Sequence, residues 1–182
     1  MWVWGLRPQP PEANSLIVAS VSAGVLRGFG DEFAAVFGRS GAVSAVEKRE
    51  GDGATPLGDW PVRGVLLRPD RGLAVATRLP WRWLRPWDGW SDGVDDPEYN
   101  RPVAWPHRFS AEHLWRDDGV YDVIVVLGHN DAPVVPGWGS AIFWHCTRPD
   151  RRPTEGCVAV ARDDLLGLVG QMAPGAVLRI EA

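Results

Sequence analysis

A mainly β fold of the α+β class, with one or two short helices, follows from three features of the sequence. Glycine and proline together supply 37 of the 182 residues, about one in five against a usual ~12%, and they divide the chain into turns. The apolar residues come mostly in short runs, the length of strands rather than helices. Only one stretch, close to the C-terminal end, carries both helix-start acids and a one-sided apolar stripe.

In chain order, residues 1–14 hold Pro8, Pro10 and Pro11, which lack backbone donors and fix φ, and they read as an extended or disordered arm. Residues 15–182 are expected to form a single domain, since a chain of this length suits one core. Runs at 16–21, 34–37, 42–46 and 62–67, separated by Gly-rich or Pro-containing turns, have the spacing of a β meander. Residues 51–58, with three glycines and Pro56, read as a loop. From 81 to 106 the texture changes: Trp81, Trp83, Trp87, Trp90 and Trp105 stand among prolines, as in a long surface excursion. Ser110 has the chemistry of an N-cap, which predicts two turns of helix over 111–115, ended by Asp117-Asp118-Gly119. The continuous β-branched run 120–127 predicts a strand buried on both faces, and 140–146 a second one beside it at the centre of the sheet. Residues 162–172 are the best helix, with Asp163 and Asp164 at its start, Leu165, Leu166, Leu168 and Val169 on one side, and Pro174 beyond. Residues 175–180 return as a last strand.

Composition excludes several function classes. Nineteen Lys and Arg against twenty-three Asp and Glu give −4, with no basic run longer than Arg151-Arg152, so the basic footprint of a nucleic-acid partner is missing. No stretch approaches the ~18 uninterrupted apolar residues of an integral membrane span. Residues 1–14 do not have the pattern of an export signal, which leaves the compartment open.

The informative constellation lies in the last third. His145 ends a buried strand, and Cys157 follows twelve residues later in Thr154-Glu155-Gly156-Cys157-Val158. A thiol beside a neutral imidazole can be activated as a nucleophile, and a Gly-Cys turn can offer its amides to a developing oxyanion. The same residues also suit a buried thiol and a satisfied core histidine. Cys146 and Cys157 could close a disulfide, although alternation along an extended strand sends His145 and Cys146 to opposite faces. A metal site drawn from His145, Cys157 and either His129 or Cys146 lacks any ligand spacing in its favour, so neither metal nor cofactor is expected.

The wider string joins 139–145 to Pro153-Thr154-Glu155-Gly156-Cys157-Val158-Ala159 and Asp164-Leu165-Leu166. Together with Tyr99-Asn100-Arg101, Leu114-Trp115-Arg116-Asp117-Asp118 and 48–56, it resembles the L,D-transpeptidase catalytic domain family. The resemblance spans roughly residues 40–170. It implies a β-sandwich-like catalytic fold and an enzyme that acts on peptidoglycan stem peptides outside the cytoplasm. In such enzymes a cysteine attacks the carbonyl of the third stem residue, D-alanine leaves, and an amine of another stem resolves the thioester. Carried over by position, Cys157 is the nucleophile and His145 its base, and the amides of Glu155, Gly156 and Cys157 form the oxyanion hole. The main-chain carbonyl of Cys146 orients the imidazole. Glu155 and Ala159 depart from the family's commonest pattern; Glu155 is expected to face away from the thiol, towards solvent or a cationic part of the substrate, and Thr154 is a further substrate-binding candidate. Activation by His145 is expected to set in near pH 6–7.

Eleven tryptophans suggest a second class of function, a glycan-binding module stacking sugars on Trp87 and Trp90. The burial preference of indole favours instead a cover laid over the sheet. A hydrolase of the same family, releasing D-alanine to water, is the remaining alternative.

Overall fold

The computed structural model describes residues 16–74 and 76–182; the arm expected over 1–14 lies outside them. The first strands are β1 (Leu16–Ser20), β2 (Val25–Gly28), β3 (Asp31–Val36), β4 (Ala42–Ser44) and β5 (Thr55–Leu67). β6 (Trp81–Trp83), β7 (Asp88–Ser91), β8 (Pro102–Ala104) and β9 (Ala111–His113) follow, then β10 (Val123–Leu127), β11 (Phe143–Cys146), β12 (Val158–Val160), the helix α1 (Arg162–Gln171) and β13 (Val177–Glu181).

The strand path β10-β11-β12-β3-β2-β1-β13-β5 is closed by the pairing of β5 with β10. Two strands turn the corners of this circuit by serving two partners each. β5 pairs with β13 over residues 58–61 and with β10 over 62–67, while β3 pairs with β2 over 31–34 and with β12 at Ala35 and Val36. β1 and β13 run parallel in the register Leu16↔Val177 to Ser20↔Glu181. The result is two β layers enclosing a core of Ile17, Leu26, Val65, Val125, Trp144 and Val158, into which α1 sends Leu165, Leu168 and Val169.

β10 and β11 are buried on both faces, as their apolar runs predict. Their inner residues, among them Val123, Val125, Trp144 and Cys146, join the enclosed core. Their outer residues Ile124, Val126 and Phe143 join a second cluster with Leu66, Leu84, Leu114, Tyr121 and Cys157, against which Trp90 packs. The second cluster is the floor of the site.

Three expectations need correction. Residues 111–113 form β9 and not a helix: five helix-compatible residues are too few to repay nucleation, and pairing with β7 (Gly89↔His113, Ser91↔Ala111) satisfies their backbone groups instead. The segment 51–58 is a loop only as far as Ala54, because Thr55 already pairs with Ala42 as β5 begins. The excursion over 81–106 is ordered as β6, which pairs with β5, and as part of the separate sheet β8-β7-β9. Trp81, Trp83, Trp87 and Trp105 are exposed, and of these five only Trp90 turns inward against the second cluster. The short strands β2 and β12 were not legible as apolar runs at all.

Candidate active site

Strand alternation divides the two ends of β11 between core and site. Cys146 points into the enclosed core, whereas His145 points outward with the ring of Tyr121 edge-on to it at 5.3 Å and 82°. The His145 Nδ1 donates to the main-chain oxygen of Cys146 at 2.9 Å. A carbonyl can only accept, so the proton sits on Nδ1 and Nε2 keeps its lone pair. Burial lowers the imidazole to about pH 4, and the ring is neutral across the physiological range.

Cys157 reaches the same side from the turn that precedes β12. Gly156 holds φ +131°, and a Cβ there would meet the Ala54 oxygen at 2.8 Å, so only glycine fits. Thr154 ties the turn together: its hydroxyl donates to Cys157 O at 2.7 Å and accepts from Gly156 N–H at 3.1 Å. The Cys157 Sγ accepts from Phe143 N–H at 3.3 Å and donates to Ala141 O at 3.2 Å. A sulfur that donates to a carbonyl is protonated, and burial, assisted by the charge of Glu112, pushes this thiol up to about 12. The resting pair is therefore thiol and neutral imidazole, not an ion pair.

Both groups open on a cleft of about 650 Å³ lined further by Glu50, Asp92, Glu112, Arg116 and Tyr121. Tyr121 donates its hydroxyl to Glu112 Oε1 at 2.6 Å, and Glu50 accepts from Tyr99 and from Ser140. Burial is the largest cause that raises Glu112 above the ordinary carboxylate range, with Asp92 and Glu50 adding to it. Glu155 reaches outward, where Arg39 Nε holds its two oxygens at 2.8 and 3.1 Å in an exposed ion pair. Cys146 and Cys157 are both free, in different clusters. Among the described residues no three His, Cys, Asp or Glu side chains are grouped to hold a metal.

The sequence profile of the L,D-transpeptidase catalytic domain, YkuD, matches residues 17–180. The chain belongs to the L,D-transpeptidase catalytic domain family. That family acts on peptidoglycan. Among solved structures, L,D-transpeptidase 3 from Mycobacterium tuberculosis, bound to a faropenem-derived adduct, is 16% identical with a TM-score of 0.45, over 93% of this chain and 60% of that one. L,D-transpeptidase 1 from the same organism is 13% identical with a TM-score of 0.40, over 92% and 60%. An L,D-transpeptidase from Mycobacterium smegmatis is 14% identical with a TM-score of 0.41, over 93% and 59%. This chain thus spans about 60% of the length of those structures. No curated protein matches it.

Of the residues singled out in the sequence, Cys157, His145, Cys146, Thr154, Glu155 and Gly156 all adjoin this cleft or the turn that shapes it. The Gly156 amide is committed to Thr154, which leaves the expected three-amide oxyanion hole one donor short in this state. Trp87 and Trp90 do not line the cleft; Trp87 is exposed, and Trp90 donates to Asn100 Oδ1 at 2.9 Å. The sequence assigns no role to Glu112, Tyr121 or the backbone of Ala141 and Phe143, because residues 111–115 have helix-compatible chemistry and main-chain groups leave no compositional signal. The acid whose charge opposes the thiolate is Glu112, not the neighbouring Glu155.

Proposed function

We propose that this domain is a cysteine acyltransferase acting on peptidoglycan stem peptides outside the cytoplasm, by L,D-transpeptidation. The observation that carries the reading is the opening of Cys157 Sγ and a neutral, Nδ1-anchored His145 on one cleft. In the proposed reaction His145 Nε2 takes the thiol proton as Sγ attacks the carbonyl of the third stem residue. The amides of Glu155 and Cys157 receive the oxyanion, with Gly156 joining if Thr154 releases it. The carbon–nitrogen bond to D-alanine breaks, the imidazolium returns its proton to the leaving amine, and a thioester remains on Cys157. The amine of a second stem then attacks the thioester, the carbon–sulfur bond breaks, and the amine's proton passes through His145 to the departing Cys157 Sγ, which leaves a 3→3 cross-link and the free thiol.

With thiol and imidazole so far from ionising each other at rest, proton removal must be concerted with attack. The cleft wall carries both signs of charge, with Glu50, Asp92 and Glu112 beside Arg116, Arg148 and Arg152, which suits a stem peptide bearing amine and carboxylate groups. Intact mass after incubation with a disaccharide-tetrapeptide tests the reading. The wild type should gain the donor mass less D-alanine, Cys157→Ala should gain nothing, and Cys146→Ala should behave as the wild type. Equal loss in both variants would point to a role for the pair and not for one nucleophile. Muropeptide binding without any change in mass would favour a glycan-binding module, for which the exposed rings of Trp87 and of the edge-on pair Trp81 and Trp83, 5.0 Å apart, are candidates.

A further inference from the structure

We propose that Asn100 is a positioning residue for the reactive thiol: its buried side-chain amide fixes both backbone groups that hold Cys157 Sγ. The inference deepens the proposed function and rests on it only in taking Cys157 as the nucleophile. Asn100 is buried with a left-handed backbone at φ +53°, a conformation that asparagine tolerates better than most residues. Its side chain uses its full capacity. Oδ1 accepts from Trp90 Nε1 at 2.9 Å and from Ala141 N–H at 3.1 Å. Nδ2 donates to His129 O at 3.1 Å and to Asn130 O at 2.8 Å. Two donors meet the oxygen and two carbonyls meet the nitrogen, so the amide has one orientation only.

Both contacts of the thiol lead back to this amide. Ala141, itself left-handed at φ +50°, is gripped through its N–H, and its carbonyl is the acceptor of the Cys157 thiol. Phe143, whose N–H donates to Sγ, is braced by the Trp90 ring standing edge-on to it at 5.0 Å, and the indole N–H of that ring is pinned to Asn100. Releasing Asn100 therefore frees the residue whose carbonyl accepts the thiol hydrogen bond and the residue whose amide favours the thiolate. The hydrogen bond from Phe143 favours the charged form of the sulfur, so its loss moves the thiol further from reactivity.

The charged groups to weigh in any titration of Cys157 are Glu112, which raises it, and Lys48, which lowers it; neither bonds to Asn100. The test compares wild type, Asn100→Ala and Trp90→Phe in two assays. One is the pH profile of Cys157 alkylation by iodoacetamide; the other is acylation by the disaccharide-tetrapeptide, resolved into kcat and KM. Asn100→Ala should shift the alkylation profile to higher pH by at least half a unit, and lower kcat at least tenfold with KM within threefold of wild type. Trp90→Phe keeps the ring against Phe143 and withdraws only the indole donor; it should move both readouts the same way by a smaller amount, and it decides the matter if Asn100→Ala does not fold. Profiles that superimpose, or that shift to lower pH as a merely loosened, wetter site would, overturn the assignment. A wild type that never acylates sinks the proposed function while leaving the alkylation arm to decide the role of Asn100.

Discussion

Acidification should destabilise this protein through two buried imidazoles before most of its carboxylates titrate. Burial lowers His129 and His145 alike from 6.5 to about 4. With each folded pKa below the unfolded one, the unfolded chain takes up its proton first. The contribution of each ring is therefore complete above pH 6.5 and is lost as the pH falls from 6.5 through 4. At 1.36 kcal/mol per pH unit, each lowering corresponds to about 3 kcal/mol, a large share of the ~5–15 kcal/mol that holds a typical domain together. Glu112 works in the opposite sense: raised chiefly by burial, it binds its proton first in the folded state and offsets part of the loss. The difference between wild type and His145→Gln isolates one ring from that background. The charges that act on His145 are those of Arg116, Arg148 and Asp118, and Asp118, held down to about 2 by Arg116, stays ionised throughout the window. Urea unfolding followed by tryptophan fluorescence at pH 7, 6, 5 and 4.5 should show a steep wild-type loss below pH 6. In the variant the slope should be shallower by about 1 kcal/mol per pH unit. Parallel slopes would refute a His145 buried in its neutral form.

Three further outcomes follow from the site. Peptide acylation should lose its acid limb near pH 4, where His145 titrates, and not near the pH 6–7 of an unperturbed imidazole; a midpoint above 6 in a pH–rate profile would contradict the burial of the ring. Glu112→Gln should speed alkylation of Cys157 at pH 9, because it removes a charge that opposes the thiolate, whereas Glu155→Gln should leave it unchanged and cost about 1 kcal/mol of stability or less, as expected of an exposed pair with Arg39. Gly156→Ala should cost about 2 kcal/mol or more in urea unfolding, and slow acylation, since its Cβ would press on the Ala54 oxygen at 2.8 Å and its backbone suits only glycine.

What the sequence revealed and what it hid divide along a physical line. The strands over 123–127 and 143–146 were legible because burial on both faces leaves continuous apolar runs, and α1 because its acids and leucines sit at helical positions. β9 was misread since local propensity over 111–113 is weak beside pairing with β7, a contact some twenty residues away that propensity does not encode. β12 is only three residues long, and the alternation that separates Cys146 from His145 gives no hint of it. In the site, Cys157 and His145 were accessible through residue type, and the outward path of Glu155 through the cost of an unpaired anion beside a thiol. The roles of Asn100 and Glu112 depend on where distant segments meet, and only the fold supplies that.

The parallel pairing of β1 with β13 bears on how the chain is made. Residues 177–181 are not an appendage; they lie between β1 and β5, and every path round the circuit passes through them. Of the described strands, β1 is made before all the others and must wait for β13, made after them, before its layer is closed. Until then β1 and β5 present unpaired edges, open to strands of other chains. A nascent or C-terminally clipped form lacking this one stave should be the species that chaperones hold and proteases find, even though Cys157, His145 and the loop that supports them would already have been synthesised.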